Sequence, residues 1–205
     1  MHHRGPLDVL AFTSLLLATI WILQPLTGGS GVLVAASVVA IATASLRRRD
    51  GGWRGVGFRI DNLLVATGVF VGTGLLYVAP FLLFLGDGDS WNNPPGVTIR
   101  GVAWSLFWSF LQQFCLLGFM LSRLRDLQDD TRAVFIAAAL FSAFHLPNPF
   151  LTFFTFGAGL LAGLVFLRFP NLYAATLSHA ILGTLLPWVI PAAILGHMNV
   201  GPFYW

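Results

Sequence analysis

The sequence has no lysine and no glutamate, and Cys115 is its only cysteine. All basic residues are arginine and all acids are aspartate. Each absence excludes some chemistry. No lysine Schiff base can form, and no mechanism can draw on a glutamate from this chain. A lone cysteine allows neither an internal disulfide nor a thiolate metal cluster. Charge of either sign is scarce, at 9% of residues, against about 25% in a soluble domain. No internal repeat or low-complexity tract is present, and the first apolar run is too long for the core of a cleavable signal peptide.

What the chain has instead is hydrophobicity: 57% of residues are apolar, including 19 Phe and 7 Trp, and the mean hydropathy is +0.80. A membrane span needs about 20 apolar residues. Runs of that kind cover residues 7–26, 29–46, 63–86, 101–121, 133–147, 150–167 and 171–195. The last holds Pro187 and Pro191, where a helix kinks or breaks, which would give an eighth segment. The expected fold is an all-α polytopic bundle of about seven spans. The breaks read "RRRDGGWRG", "GDGDSWNNPPG", "SRLRDLQDDTR", "HLPNP" and "RFPN".

The pI of 9.8 comes from arginines in these breaks and is a topology signal, with no nucleic-acid partner implied. In a seven-span arrangement Arg100 alone lies opposite all the other arginines. By the positive-inside rule the N-terminus is cytoplasmic, as expected for an integral protein of a bacterial inner or plasma membrane.

Few polar side chains fall at depth. They are Gln112, Gln113 and Cys115 in the fourth run, Ser142 and His145 in the fifth, and Thr176, Ser178 and His179 in the seventh. At 1.5 Å rise per residue, Gln112, His145 and His179 lie roughly 13, 18 and 12 Å from the cytoplasmic side. A buried amide or imidazole is costly unless partnered. Convergence at one level therefore points to a shared intramembrane site, beyond the private interhelical hydrogen bonds such groups also make. Two histidines without a nearby carboxylate are too few ligands for a metal, and no cofactor is indicated. Cys115 is on the side of Gln112 and reads as a small buried apolar residue; paired with an imidazole it would be a nucleophile. Trp108, four residues before Gln112, shares its face. Asn148 is in "HLPNP", a helix stop from which it can reach back to the site.

These residues resemble a known pattern. "FSAFH" reads as F-x-x-x-H, with Phe141 one turn before His145. "LSHAILG" reads as the later histidine motif, commonly H-x-x-x-N, and "LQQFCLLG" falls where E-E-x-x-x-R-G is found. Over residues 100–185 the chain resembles the CPBP intramembrane proteases, the ABI or CAAX-protease-like family, whose eukaryotic branch trims prenylated CAAX proteins. The resemblance divides the chain into N-terminal helices (1–99), a CPBP-like core (100–185) and a C-terminal segment (186–205). It implies a catalytic set of His145, His179, Gln112 and Gln113 with Phe141 beside it; by spacing, Trp108, Cys115 and Asn148 join Phe141 along the substrate.

The departures matter as much. In the family the glutamate pair activates water, and the histidines and asparagine position it or stabilise the oxyanion. Here Gln112 and Gln113 stand at the glutamate positions, Leu117 at the arginine and Gly183 at the asparagine. Glutamine keeps the shape of glutamate and loses the basic oxygen. Loss of the pair together with its arginine reads as natural divergence. Three functions follow: a peptidase-like enzyme with histidine as base, acting on a membrane-embedded or lipidated substrate; a non-catalytic binding relative; or an enzyme of another reaction on a lipid or isoprenoid. Membrane lipid is a partner in all three, and the sequence leaves the oligomeric state open.

Overall fold

In a computed structural model the described residues are 5–26, 52–86, 96 and 98–205. They are helical throughout apart from turns and short connections. Helix α1 (Gly5–Ala18) continues through a wide π-helical turn, Thr19–Leu23, into Gln24–Leu26. Asp8 lies in the first turn of α1, so one acid does fall inside an expected span, at its very edge. The expected span at 29–46 lies outside the described residues.

Helix α2 (Leu63–Leu85) is 23 residues long, and only Ala66, Phe70 and Val78 are buried. At 1.5 Å per residue it is about 34 Å long, enough to cross a bilayer with most of its surface against lipid. Helix α3 (Ile99–Gln113) starts where the Thr98 side chain accepts from the Gly101 N–H. It runs directly into a π-helical stretch, Phe114–Leu121, every residue of which is buried, and ends in Ser122–Arg125. That stretch is the centre of the main apolar core.

Helix α4 (Asp130–Ala143) is capped by Asp129, which accepts from the Arg132 N–H. Its 14 residues make a rod of about 21 Å, short of a ~30 Å hydrocarbon core. The expected span 133–147 is therefore a short helix that ends in turns at His145 and Leu146. Helix α5 (Pro149–Arg168) begins with proline in its first turn, where a missing N–H costs nothing, and Asn148 caps it by accepting from the Leu151 N–H. Gly159 and Gly163 let α5 approach α4 closely: a Cβ on Gly163 would meet Val134 Cγ1 at 2.8 Å.

Helix α6 (Leu172–Val189) is capped by Asn171, whose side chain accepts from the Ala174 N–H. It passes through Pro187 and stops at Ile190, before Pro191. The expected boundary at residue 185 thus falls inside a continuous helix. After Pro191 the chain makes a four-residue helix, α7 (Ala192–Leu195), and folds back. In all, five of the described helical stretches are long and apolar enough to cross a membrane.

Candidate functional site

Helix α6 packs between α2 and α3, while α5 packs on α4. This arrangement leaves a cavity of about 940 Å³ inside the bundle. Gln112, Gln113, His145 and His179 all line it. Trp108, Cys115 and Phe141 line it as well. The polar groups placed at one depth by the sequence thus border one space.

The closest polar contact is between helices. Gln113 Nε2 lies 2.6 Å from His179 Nδ1. An amide N–H can only donate, so Nδ1 accepts and the ring hydrogen sits on Nε2. Gln113 is 5% exposed. Its other amide atom, Oε1, is buried with no partner among the described residues. His145 has the opposite tautomer. Its Nδ1 faces the Phe141 carbonyl at 3.1 Å and Thr155 Oγ1 at 3.3 Å. A carbonyl can only accept, so Nδ1 carries the hydrogen and Nε2 keeps a lone pair. Thr155 donates its own hydroxyl hydrogen to the Leu151 carbonyl at 2.7 Å, which leaves its oxygen free to accept from His145. The spacing in "FSAFH" has a physical reason: one helical turn brings the Phe141 carbonyl to His145 Nδ1 and its ring within 5.1 Å of the imidazole.

The supporting shell is mostly hydroxyl and aromatic. Ser178, next to His179, donates to the Phe70 carbonyl at 3.0 Å and ties α6 to α2. Ser105 and Thr184 meet at 3.4 Å between α3 and α6. Trp104 and Trp108 stack with centroids 6.0 Å apart. Gln112 is half-buried and has no hydrogen-bond partner among the described residues. Cys115 is buried and free, with no hydrogen bond to either imidazole.

Asn148 lies elsewhere. It is fully buried, and its side chain is used up on backbone: Nδ2 donates to the carbonyls of Leu195 at 2.8 Å and Asn199 at 3.1 Å, while Oδ1 caps α5. It pins the C-terminal segment, and the Gly201 N–H adds a bond to the Leu146 carbonyl at 2.8 Å. That segment brings Met198, Val200 and Phe203 to the cavity wall. Among the described residues no group of three or more His, Cys or Asp side chains could hold a metal ion.

Residues 94–185 match the family model described as type II CAAX prenyl endopeptidase Rce1-like. The match spans α3, α4 and α5 and most of α6, and so includes Gln112, Gln113, His145 and His179. The match covers less than half of the chain, and over it the chain is similar to the CAAX-protease-like family. No curated protein and no solved structure matches the chain. The chain is thus a membrane protein whose residues 94–185 resemble the CAAX-protease-like peptidases.

Thr155 and Tyr77 were not singled out by sequence. Thr155 follows His145 by ten residues across a turn, and no local pattern announces that contact. Tyr77 sits on α2, beyond the family match, and donates to the Phe154 carbonyl at 2.9 Å. The C-terminal residues in the wall gave no signal either, because their approach depends on the long-range clamp at Asn148.

Proposed function

We propose that the protein is a divergent peptidase-like hydrolase that cleaves an amide within a membrane-embedded or lipidated substrate, with His145 as general base. One observation carries this reading. The cavity holds one imidazole with a free lone pair, on His145, and one with a free N–H, on His179. That is a base and an oxyanion donor without a carboxylate.

The steps balance. His145 Nε2 takes a proton from water, and the hydroxide attacks the substrate carbonyl carbon. The developing oxyanion accepts a hydrogen bond from the His179 Nε2–H. The C–N bond then breaks, and His145 returns the proton to the leaving amine. Gln113 holds His179 in the donating tautomer, and Phe141 and Thr155 hold His145 in the accepting one. Gln112 orients the water or the scissile carbonyl. The two glutamines also favour a second reading, a relative that binds such a substrate without cleaving it, since neither can act as a base. A different reaction on a lipid or isoprenoid would use the same imidazole pair.

In this reading residues 100–185 carry the site on the N-terminal helices, and residues 186–205 close one side of it. The arginine bias favours a cytoplasmic N-terminus in a bacterial plasma membrane. The test is to reconstitute the protein in liposomes with prenylated and acylated peptides and detect products by mass spectrometry. Cleavage lost in His145→Ala supports the hydrolase. Intact peptide retained by the native protein supports the binding relative.

A further inference from the structure

None of the described residues lining the 940 Å³ cavity is an Asp or an Arg. The cavity is at the large end of the range for ligand pockets. Its walls divide by chemistry. One part carries Gln112, Gln113, His145 and His179; another is apolar, with Phe70, Leu182 and Leu186. Tyr77 also reaches the cavity, with its hydroxyl bound to the Phe154 carbonyl.

The polar part has unmet needs that specify a ligand. Gln113 Oε1 is an acceptor, buried with no donor among the described residues. His145 Nε2 is a second acceptor, because Nδ1 holds the ring hydrogen. His179 Nε2–H is a donor, because Nδ1 accepts from Gln113. A ligand that satisfies all three must offer both a hydrogen-bond donor and an acceptor. A carboxylate has acceptors only. It would face two further acceptors, and with no cation in the wall its lost hydration would go uncompensated.

We propose that the cavity takes a long-chain amphiphile whose polar group is an uncharged secondary amide, and that it rejects a free carboxylate at that position. The amide N–H donates to Gln113 Oε1, the amide oxygen accepts from His179 Nε2–H, and the apolar chain lies along α2 and α6. Gln113 is then a specificity-determining residue. This deepens the hydrolase reading and shares its site. It is tested by binding alone, so failure to cleave leaves it standing.

The experiment is native mass spectrometry of the full chain in detergent micelles, titrated at about pH 9, where the acids are ionised, with matched pairs that each carry a single amide or carboxylate. One pair is N-methylpalmitamide against palmitate. The other is the N-methylamide of S-farnesyl-mercaptopropionic acid, a one-amide stand-in for a prenylated peptide, against its free acid. The first pair reports a lipid source of the amide, the second a peptide source. In at least one pair the uncharged member should bind at least about tenfold tighter, a ratio set by roughly one hydrogen bond and one uncompensated charge. Gln113→Leu should reduce the ratio to about twofold or less while the palmitoyl chain still binds. If that variant does not fold, the native ratio decides alone. Equal or tighter binding of the acid in both pairs overturns the proposal.

Discussion

Gln113 on α3 and His179 on α6 are joined at 2.6 Å, from amide Nε2 to imidazole Nδ1. The contact spans 66 residues of sequence and fixes which ring nitrogen can donate. Gln113 thus has a definite use: it sets the His179 tautomer and leaves its second amide atom without a partner among the described residues.

The two tautomers can be observed directly. In protein labelled with 15N-histidine, His179 should show a protonated Nε2 and a bare Nδ1, and His145 the reverse. Gln113→Leu should release His179 into a mixture of both forms while His145 keeps its own, because the Phe141 carbonyl and Thr155 are untouched. The same tautomer at both rings in the native protein would remove the base–donor pair.

Asn148 should matter for stability rather than chemistry. Asn148→Ala removes a helix cap and strips two carbonyls, those of Leu195 and Asn199, of their donor. The expected cost is about 2–4 kcal/mol. It should appear as a lowered melting temperature and faster proteolysis of the C-terminal segment. A variant that melts like the native protein would show that the clamp is dispensable.

The helices are more legible in the sequence than the turns that join them. Apolar runs with arginine-rich breaks locate α1, α2, α3, α5 and α6, because length and hydropathy are local properties. Sequence makes α4 too long, since the apolar run continues past the end of the helix into the turns before Pro149. Pro187 reads as a break in sequence and is held inside α6; the helix ends only at Val189. In the site, spacing and depth brought Gln112, Gln113, His145 and His179 into view. Asn148 was read toward the cavity, but its partners are 47 and 51 residues away. Contacts of that range, like Thr155 on His145, depend on how helices pack and leave no local mark.

Helix packing at Gly163 gives a paired test. Gly163→Ala puts a Cβ at 2.8 Å from Val134 Cγ1, and overpacking of this kind costs about 1–3 kcal/mol. Val134→Ala should recover most of the loss in the double variant, measured as the midpoint of thermal unfolding. An additive double variant would show that the two side chains do not meet.

Outside the membrane, the loop before α2 carries a pH-sensitive pair. Arg59 binds Asp61 through Nε at 3.2 Å and Nη2 at 2.6 Å. The hydrogen bond from Arg59 holds the Asp61 carboxyl down at about 2. A carboxylate depressed in the folded state stabilises it above its ordinary value near ~3.9, and that contribution is lost as pH falls through about 2. Carboxyl NMR should place the Asp61 midpoint near 2. Arg59→Ala should raise it toward the ordinary range, and high salt should weaken the effect.

The most direct test of the account is the cleavage rate, in proteoliposomes, of one prenylated or acylated peptide amide by four proteins: native, His145→Ala, His179→Ala, and the double variant Gln112→Glu with Gln113→Glu. The account predicts cleavage by the native chain and loss of about 10²-fold or more in each histidine variant. It predicts no gain in the double variant, since an introduced carboxylate removes the N–H that His179 Nδ1 accepts. Leu117, four residues after Gln113, carries no charge to balance the new one. An inactive native protein together with an active double variant would contradict it, and would make the histidines remnants of a glutamate-dependent protease.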